Sequence, residues 1–290
     1  MKFQVTHKTI YQYGGIVNLC YNEAKMIPRN LPNQNCLKYE LSVEPNPMDF
    51  DERIDFFGNR TAYFSIQEPH KELKVVTKSE VEIIPNLPVN LSESPNCQEV
   101  RKILVSSKED AVIDAKQYVF ASPLIHPFQE IQEYAAVSFW DERPVLEAAF
   151  ELTQRIFKDF KFVPGFTSVT TPLHEVARHK KGVCQDYAQF AIACVRSMGL
   201  AARYVSGYIE TIPPEGEEKL EGADASHAWL SVFSPGFGWL DFDPTNNQIP
   251  KEQHVTVAYG RDYLDITPFK GVIYSSGKHK MNVEVDMKRI

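Results

Sequence analysis

A cysteine, a histidine and an aspartate occur in this chain where the local pattern could make a thiol reactive. Cys184 follows a glycine-led turn at 182–183, and apolar residues then recur every three or four positions to about Gly199. That spacing is typical of an amphipathic helix ended by a glycine. Unpaired N–H groups at a helix start stabilise an anion, including a cysteine thiolate. The sequence therefore predicts a nucleophile in the first turn of this helix, although a buried, inert cysteine is the alternative interpretation.

Two later segments have the alternation of β-strands. Residues 224–233 and 238–245 each place apolar side chains at every second position. The residues between them, 234–238, include proline and glycine and suit a hairpin loop. His227 lies on the face of the first strand that does not carry the small aliphatic residues. The two segments are predicted to be the paired strands of one hairpin.

The register of this hairpin decides which carboxylate reaches the histidine. If Phe233 faces Trp239, then Asp243 lies diagonal to His227 on the same face, and diagonal neighbours are about 7 to 8 Å apart at Cα. A shift of two residues would put Asp241 in that place. The pattern favours Asp243 and leaves Asp241 open. Either arrangement allows the chemistry of an activated nucleophile, in which a histidine takes the thiol proton and a carboxylate orients the ring.

Four sequence blocks carry a family resemblance. The chain resembles the bacterial branch of the transglutaminase-like superfamily in G-V-C-Q-D-Y-A (182–188), R-Y-V-S-G-Y (203–208), D-A-S-H-A-W (224–229) and G-W-L-D-F-D-P-T (238–245). The resemblance implies a papain-like α+β core with a Cys-His-Asp triad. It would make Cys184 the nucleophile, His227 the general base and Asp243 the orienting acid.

Length and charge narrow the function classes. The 290 residues, 43% of them hydrophobic, suffice for two domains. The net charge is −7 and no basic run occurs, so we expect neither a nucleic acid nor a membrane as partner. No long apolar stretch or signal-peptide pattern is visible, which predicts a cytoplasmic protein. The five cysteines are scattered without a C-x-x-C pair, so we expect no disulfide framework, no metal site and no cofactor.

The chain divides by pattern near residue 90. Short period-two stretches up to about residue 84 predict an N-terminal antiparallel β-sandwich, and this part resembles the β domain that precedes the core in bacterial relatives. A stretch rich in proline, asparagine and serine follows at 85–96. We therefore predict an α+β protein with a β-sandwich domain over 1–90. A papain-like, transglutaminase-like core would occupy 91–290 and include a C-terminal strand.

The remaining site residues are weaker candidates. The backbone N–H of Cys184 is a natural oxyanion donor, and Gln185 or Trp140 could supply a second one. Trp229 and Trp239 lie on the His227 face in the proposed register and could wall the site. No acidic loop that would suit calcium is apparent.

The predicted activity is acyl transfer through a Cys184 thioester on a peptide, protein or other amide. Water as acceptor gives a cysteine protease or amidase, and an amine gives a transglutaminase; the fold itself does not decide between them. An acidic segment at 213–222 would make a wet rim, which favours hydrolysis. A catalytically idle binding module is the hypothesis from another class, and the intact cysteine, histidine and aspartate argue against it. The sequence leaves the oligomeric state open.

Overall fold

A computed structural model describes residues 1–85, 87–211, 225–275 and 277–290. The acidic segment predicted at 213–222 lies outside these residues. The strands are β1 (Lys2–Val17), β2 (Leu19–Ala24), β3 (Gln34–Glu44), β4 (Asp49–Ile54), β5 (Arg60–Ile66), β6 (His70–Ile83), β7 (Lys161–Phe162), β8 (Lys181–Gly182), β9 (Ala202–Ile209), β10 (Ala225–Ser234), β11 (Gly238–Phe242), β12 (His254–Gly260), β13 (Phe269–Tyr274) and β14 (His279–Arg289).

Most of the helices lie between the two strand-rich parts of the chain. They are α1 (Cys97–Ser106), α2 (Asp110–Lys116), α3 (Gln129–Ala136), α4 (Val145–Asp159), α5 (Leu173–His179) and α6 (Cys184–Ser197). The prolines at 144 and 172 directly precede α4 and α5, where the missing backbone N–H of proline removes no helix hydrogen bond. A membrane-crossing helix, which would need both length and a continuous apolar composition, is not found among the described residues.

The β-sandwich consists of two antiparallel sheets. Their strand orders are β14-β1-β6-β3 and β13-β2-β5-β4. The alternating residues of these strands face each other across a core that includes Val75 and Phe64. This is the antiparallel sandwich that the N-terminal pattern predicts.

The C-terminal strands correct the predicted domain division. β14 pairs with β1 from Phe3↔Arg289 to Tyr13↔His279, and β13 pairs with β2. Both belong to the sandwich and not to the second domain to which the sequence assigned them. Pairing between the two ends of a chain leaves no local signal, because each strand shows only its own alternation.

The second domain packs its helices against a sheet of order β11-β10-β9-β12. α6 lies against β9 and β10 on one side and against α3, α4 and α5 on the other. Residues 186–196 of α6 are all buried, so the helix lies at the centre of the domain. The sequence predicted an amphipathic helix with one exposed face, and that prediction is wrong. The apolar residues that recur every three or four positions mark only one of the buried faces of this helix.

The two parts of the chain are joined by buried polar contacts. His7 Nδ1 lies 2.8 Å from the hydroxyl of Tyr208 on β9, and Gln34 Nε2 donates to the carbonyl of Thr256 on β12 at 2.8 Å. Asn59 Nδ2 donates to the carbonyl of Tyr259 at 2.9 Å. These bonds fix the central sheet against the sandwich and so help to position the strands that carry the candidate site.

Candidate active site

A tight turn sets the start of α6. Asp186 Oδ2 accepts hydrogen bonds from the backbone N–H of Val183 at 2.7 Å and from the Thr167 hydroxyl at 2.6 Å. A Cβ atom on Gly182 would lie 2.3 Å from the same oxygen, so only glycine fits there. Asp186 is therefore a structural residue that fastens the turn, and the turn holds Cys184 as the first residue of the helix.

Cys184 differs from most other cysteines in its surroundings. It is half-buried, whereas Cys20, Cys97 and Cys194 are buried. Burial raises the pKa of Cys20, raises that of Cys97 to about 11 and raises that of Cys194 further. Cys36 is also half-buried, but burial raises its pKa as well. A raised pKa keeps a thiol protonated and inert, so these four cysteines are poor nucleophiles.

The hairpin has the predicted register. Phe233 pairs with Trp239 and Leu230 pairs with Phe242, so the alternation and the loop length gave the correct pairing. Asp243 comes one residue beyond the last paired residue of β11. Its Oδ2 lies 2.7 Å from Nε2 of His227. Asp241 instead accepts a hydrogen bond from Trp229 Nε1 at 2.9 Å.

His227 is a buried base whose partners include a carboxylate and a thiol, and Asn246 Nδ2 lies 3.2 Å from its Nε2. Burial lowers its pKa, but hydrogen bonds to Asp243 and Cys184 outweigh that effect and raise the pKa to about 10. Since Nε2 faces Asp243, we infer that Nδ1 faces the sulfur. The imidazole thus lies between the thiol and the carboxylate, which is the order that proton transfer from the thiol requires.

The Asp243 carboxylate is held from several directions. Oδ1 accepts the backbone N–H groups of Thr245 and Asn246 at 2.9 and 3.2 Å, which is a local Asx-type turn. Oδ2 accepts the Asn246 side-chain amide at 2.8 Å and lies 3.0 Å from His254 Nε2. Burial would raise the pKa of Asp243, but the hydrogen bonds from His227 and His254 hold it well below its ordinary value. The carboxylate is therefore ionised and fixed.

His254 and Asn246 are site residues that the sequence reasoning missed. Asn246 follows the D-P-T turn directly, and its position within the Asx-type turn was a usable signal. His254 is the first residue of β12, which pairs with β9 and not with the hairpin. Sequence alternation could show that 254–260 is a strand, but it could not show which sheet neighbour this strand has.

Trp229 closes the site on one side. Its side chain is fully buried, and its ring centroid lies 5.8 Å from that of His227 and 5.1 Å from that of His254. Gly207 pairs with His227 across the ladder, and a Cβ there would lie 2.6 Å from the Trp229 ring. The glycine of R-Y-V-S-G-Y thus makes room for the indole. The indole therefore packs beside His227, and both His227 and Asp243 are buried.

The two histidines and Asp243 are also the ligand types of a metal site. Their nearest side-chain atoms all lie within 4.8 Å of one another. Ligands of a tetrahedral zinc ion at about 2.1 Å from the metal are roughly 3.4 Å apart. The distance of 2.7 Å between His227 Nε2 and Asp243 Oδ2 is instead that of a charge-assisted hydrogen bond. The geometry fits a hydrogen-bonded network better than a metal centre.

Trp140 and Trp239 lie away from the thiol. Trp140 is half exposed and carries the Arg143 guanidinium over its ring. Its neighbour Asp141 pairs with Arg101, which reaches the carbonyl of Met198 just beyond the C-terminal end of α6. That end is roughly 20 Å from Cys184, because a helix rises about 1.5 Å per residue. Trp140 is therefore not placed to donate to an oxyanion at Cys184.

Trp239 belongs to the other end of the hairpin. It pairs with Phe233, six positions along β10 from His227, and packs against Tyr118 and Arg203. It shares the His227 face as predicted but does not wall the site. Gln185, next to Cys184 in the first turn of α6, remains the adjacent candidate for a second oxyanion donor.

The segment Gly260-Arg261-Asp262-Tyr263 has a structural role. Asp262 is fully buried and accepts the backbone N–H groups of Leu124 and Leu264, both at 2.9 Å. Arg196 of α6 donates to the carbonyl of Arg261 at 2.6 Å. The segment fastens the end of β12 to the helices.

Comparisons with known proteins agree with this architecture. Residues 3–82 match the family described as bacterial transglutaminase-like N-terminal region, and residues 134–244 match the transglutaminase-like superfamily. The chain belongs to the transglutaminase-like superfamily. An uncharacterized relative in Mycobacterium bovis is 37% identical over 291 residues, which cover 99% of this chain and 92% of that protein. The family resemblance seen in the sequence is thereby confirmed.

Two further comparisons concern fold and a shorter region. A crystal structure from Cytophaga hutchinsonii, described as a candidate cysteine protease, has a TM-score of 0.77 and 20% identity and covers 99% of this chain and 90% of its own. It shares the fold of this superfamily member. A protein-glutamine gamma-glutamyltransferase of Pseudomonas aeruginosa is 33% identical over 100 residues, which span 33% of this chain and 15% of that protein.

Proposed function

We propose that this protein catalyses thiol-dependent acyl transfer on a peptide, a protein or another amide, and that water is the acceptor. The observation that carries the proposal is the position of His227, whose Nε2 lies 2.7 Å from Asp243 Oδ2 and whose pKa is raised by hydrogen bonds to Asp243 and Cys184. The protein would then be a cysteine protease or amidase of transglutaminase-like fold.

In the proposed reaction the proton of the Cys184 thiol is on His227 Nδ1 before the amide is attacked, in keeping with the raised pKa of that ring. The thiolate attacks the carbonyl carbon of the amide, and the C=O electron pair moves to the oxygen. When the tetrahedral intermediate collapses, the C–N bond breaks and His227 gives its proton to the leaving amine. His227 then takes a proton from water, whose oxygen attacks the thioester carbonyl. Collapse of the second intermediate releases the carboxylic acid and restores the Cys184 thiolate beside the protonated His227.

Asp243 and the start of α6 stabilise the charges that develop. Asp243 receives the Nε2 hydrogen bond and stabilises the imidazolium that forms when the thiol is deprotonated. The backbone N–H of Cys184 is one oxyanion donor in this proposal, since it opens the helix and points outward. Gln185 is the proposed second donor.

The aromatic residues support water as the acceptor. A transglutaminase must admit an amine and keep water from its thioester, which calls for an apolar tunnel with aromatic walls. Trp229 is fully buried against the two histidines, and Trp239 lies at the other end of the hairpin. Of these two tryptophans Trp229 alone lies beside the histidines, so the pair does not form the opposed aromatic walls of such a tunnel.

Amine transfer is the second candidate, and the Pseudomonas aeruginosa relative with that activity in its name favours it. One assay separates the two. The enzyme is incubated with a glutamine-containing peptide and a labelled primary amine, and ammonia release, peptide cleavage and amine incorporation are followed together. Cleavage or deamidation without incorporation supports hydrolysis, whereas efficient incorporation at millimolar amine overturns it. Cys184→Ala is the matched control and should show none of these products.

The cytoplasm is the compartment that we propose for this activity. All five cysteines lie within the described residues and are free, and a working thiol is best preserved where thiols are kept reduced. Fractionation of cells with an antibody against the chain would test this. Recovery mainly outside the cytoplasm would contradict it.

A further inference from the structure

The contact between His254 and Asp243 has no part in the proton transfers described above. His254 belongs to β12, which is not a neighbour of the hairpin that carries His227 and Asp243. It is buried, with 5% of its surface exposed. Nevertheless its Nε2 lies 3.0 Å from the same carboxylate oxygen, Oδ2, that faces His227 at 2.7 Å.

The tautomer of His254 follows from its partners. An ionised carboxylate only accepts hydrogen bonds, so the ring nitrogen that faces Asp243 carries the hydrogen atom. Its other nitrogen, Nδ1, is buried and has no hydrogen-bond partner within the described parts of the chain. The Nε2–H tautomer satisfies this geometry, because it leaves a lone pair and not a second N–H group without a partner. His254 is thus built to donate to Asp243 and is not arranged to relay a proton onward.

We propose that His254 is a positioning residue for the Cys184 nucleophile: it fixes Asp243 Oδ2 in line with His227, an assignment that rests on the proposed function. Oδ1 is held by the turn at Thr245 and Asn246, so the carboxylate has one tethered oxygen. Oδ2 is the oxygen that must stay aimed at His227, and His254 and the Asn246 amide are the groups that hold it from the sides.

Because His254 lies on β12, a second strand helps to hold the Asp243 carboxylate in place. β12 is fastened to the sandwich through Gln34, which donates to the carbonyl of Thr256 and accepts its N–H group, both at 2.8 Å. The Trp229 ring lies edge-on against His254 and also covers His227. The site is therefore supported from a strand that the sandwich positions, and Asp243 does not depend on its own turn alone.

The test compares the pH dependence of Cys184 alkylation in His254 variants. The rate of iodoacetamide modification at Cys184 is measured by peptide mapping at pH 6 and pH 9.5. We expect the rate at pH 6 divided by the rate at pH 9.5 to be high in the wild-type protein, because His227 holds the thiol proton in the proposed mechanism. His254→Leu removes the donor and should lower that ratio about tenfold. His254→Gln retains an amide donor and should restore at least half of the effect.

The control is His70→Leu, which also removes a buried, hydrogen-bonded histidine but one whose partners, the carbonyl of Glu68 and the thiol of Cys20, lie in the sandwich. Its rate ratio should equal that of the wild type even if its Tm falls. Should His254→Leu not fold, His254→Asn, whose shorter amide does not reach Asp243, serves in its place.

The outcomes are distinguishable. An unchanged ratio in a folded His254→Leu or His254→Asn protein, with a high ratio in the wild type, overturns the positioning role and leaves the proposed function standing. A low ratio already in the wild type overturns both, since His254 would then have no activated thiol to support. An equal loss of ratio in His70→Leu would show a general loss of stability and also contradicts the proposal.

Discussion

Asp243 Oδ2 lies 2.7 Å from Nε2 of His227, although Asp243 follows β11 and has no ladder partner of its own on β10. The residue is positioned by the turn that begins with it, because its other oxygen caps the N–H groups of Thr245 and Asn246. The His227–Asp243 pair therefore depends on the register of the hairpin and on the turn at 243–246 that follows β11.

Replacing Asp243 should slow the proposed reaction without unfolding the protein. Asp243→Asn keeps the size of the side chain but removes the charge that stabilises the imidazolium, and we expect kcat to fall by about a hundredfold or more. Asp241→Asn is the matched control, since Asp241 bonds Trp229 and not His227. Amide cleavage by the two variants and by Cys184→Ala measures this. Equal losses in the two aspartate variants would contradict the assignment.

The free energy of unfolding at alkaline pH should depend on the ion pair between His227 and Asp243. The folded pKa of His227 is raised from 6.5 to about 10, so its contribution is complete below pH 6.5 and is lost as the pH rises towards 10. The pKa of Asp243 is lowered from 3.8, so the same pair is also lost as the pH falls below that value. Urea unfolding of wild type and His227→Gln at pH 6, 8 and 9.5 should give a difference that shrinks with pH. A constant difference would count against the ion pair.

His7 should make the protein sensitive to acid. Burial lowers its pKa from 6.5 to about 4, so stability is lost as the pH falls from 6.5 to 4. The shift corresponds to about 3 kcal/mol in the free energy of unfolding. His7→Gln cannot titrate, and its free energy of unfolding should fall less over this range in urea titrations. Parallel curves for the two proteins would show that His7 is not the group responsible.

A methyl group at position 182 should disturb the nucleophile. In Gly182→Ala the new Cβ would meet the Asp186 carboxylate, and the turn that presents Cys184 would have to move. We expect a lower Tm and a rate of Cys184 alkylation reduced by about tenfold or more, since a small displacement of a reacting group is costly. Gly236→Ala in the distal hairpin loop is the comparison: its φ of +80° makes an alanine there strained, so its Tm should also fall, but it has open space around it and should leave Cys184 alkylation unchanged. Unchanged alkylation in Gly182→Ala would contradict the role of the turn.

The sequence predicts those parts of the site that depend on local pattern. The start of α6, the hairpin and the choice of Asp243 over Asp241 follow from helix periodicity, strand alternation and loop length. His254 and the C-terminal strands depend on pairings between distant strands, which leave no mark in a single sequence. Trp140 is predicted as an oxyanion donor because some members of the family carry a tryptophan upstream of the nucleophile, but that resemblance does not show that its neighbour Asp141 is linked through Arg101 to the far end of α6.

The central claim is that Cys184 is an activated nucleophile, and selective alkylation tests it most directly. Wild-type protein is treated with limiting iodoacetamide at pH 6.5, and the modified fraction at each cysteine is mapped. Cys36 is the internal comparison, because it is half-buried like Cys184 but has no histidine hydrogen-bonded to it among the described residues. We expect Cys184 to react at least about tenfold faster than Cys36, and this advantage to disappear in His227→Gln. Equal rates at the two cysteines, or a fast Cys184 that is indifferent to the loss of His227, would contradict the proposed mechanism.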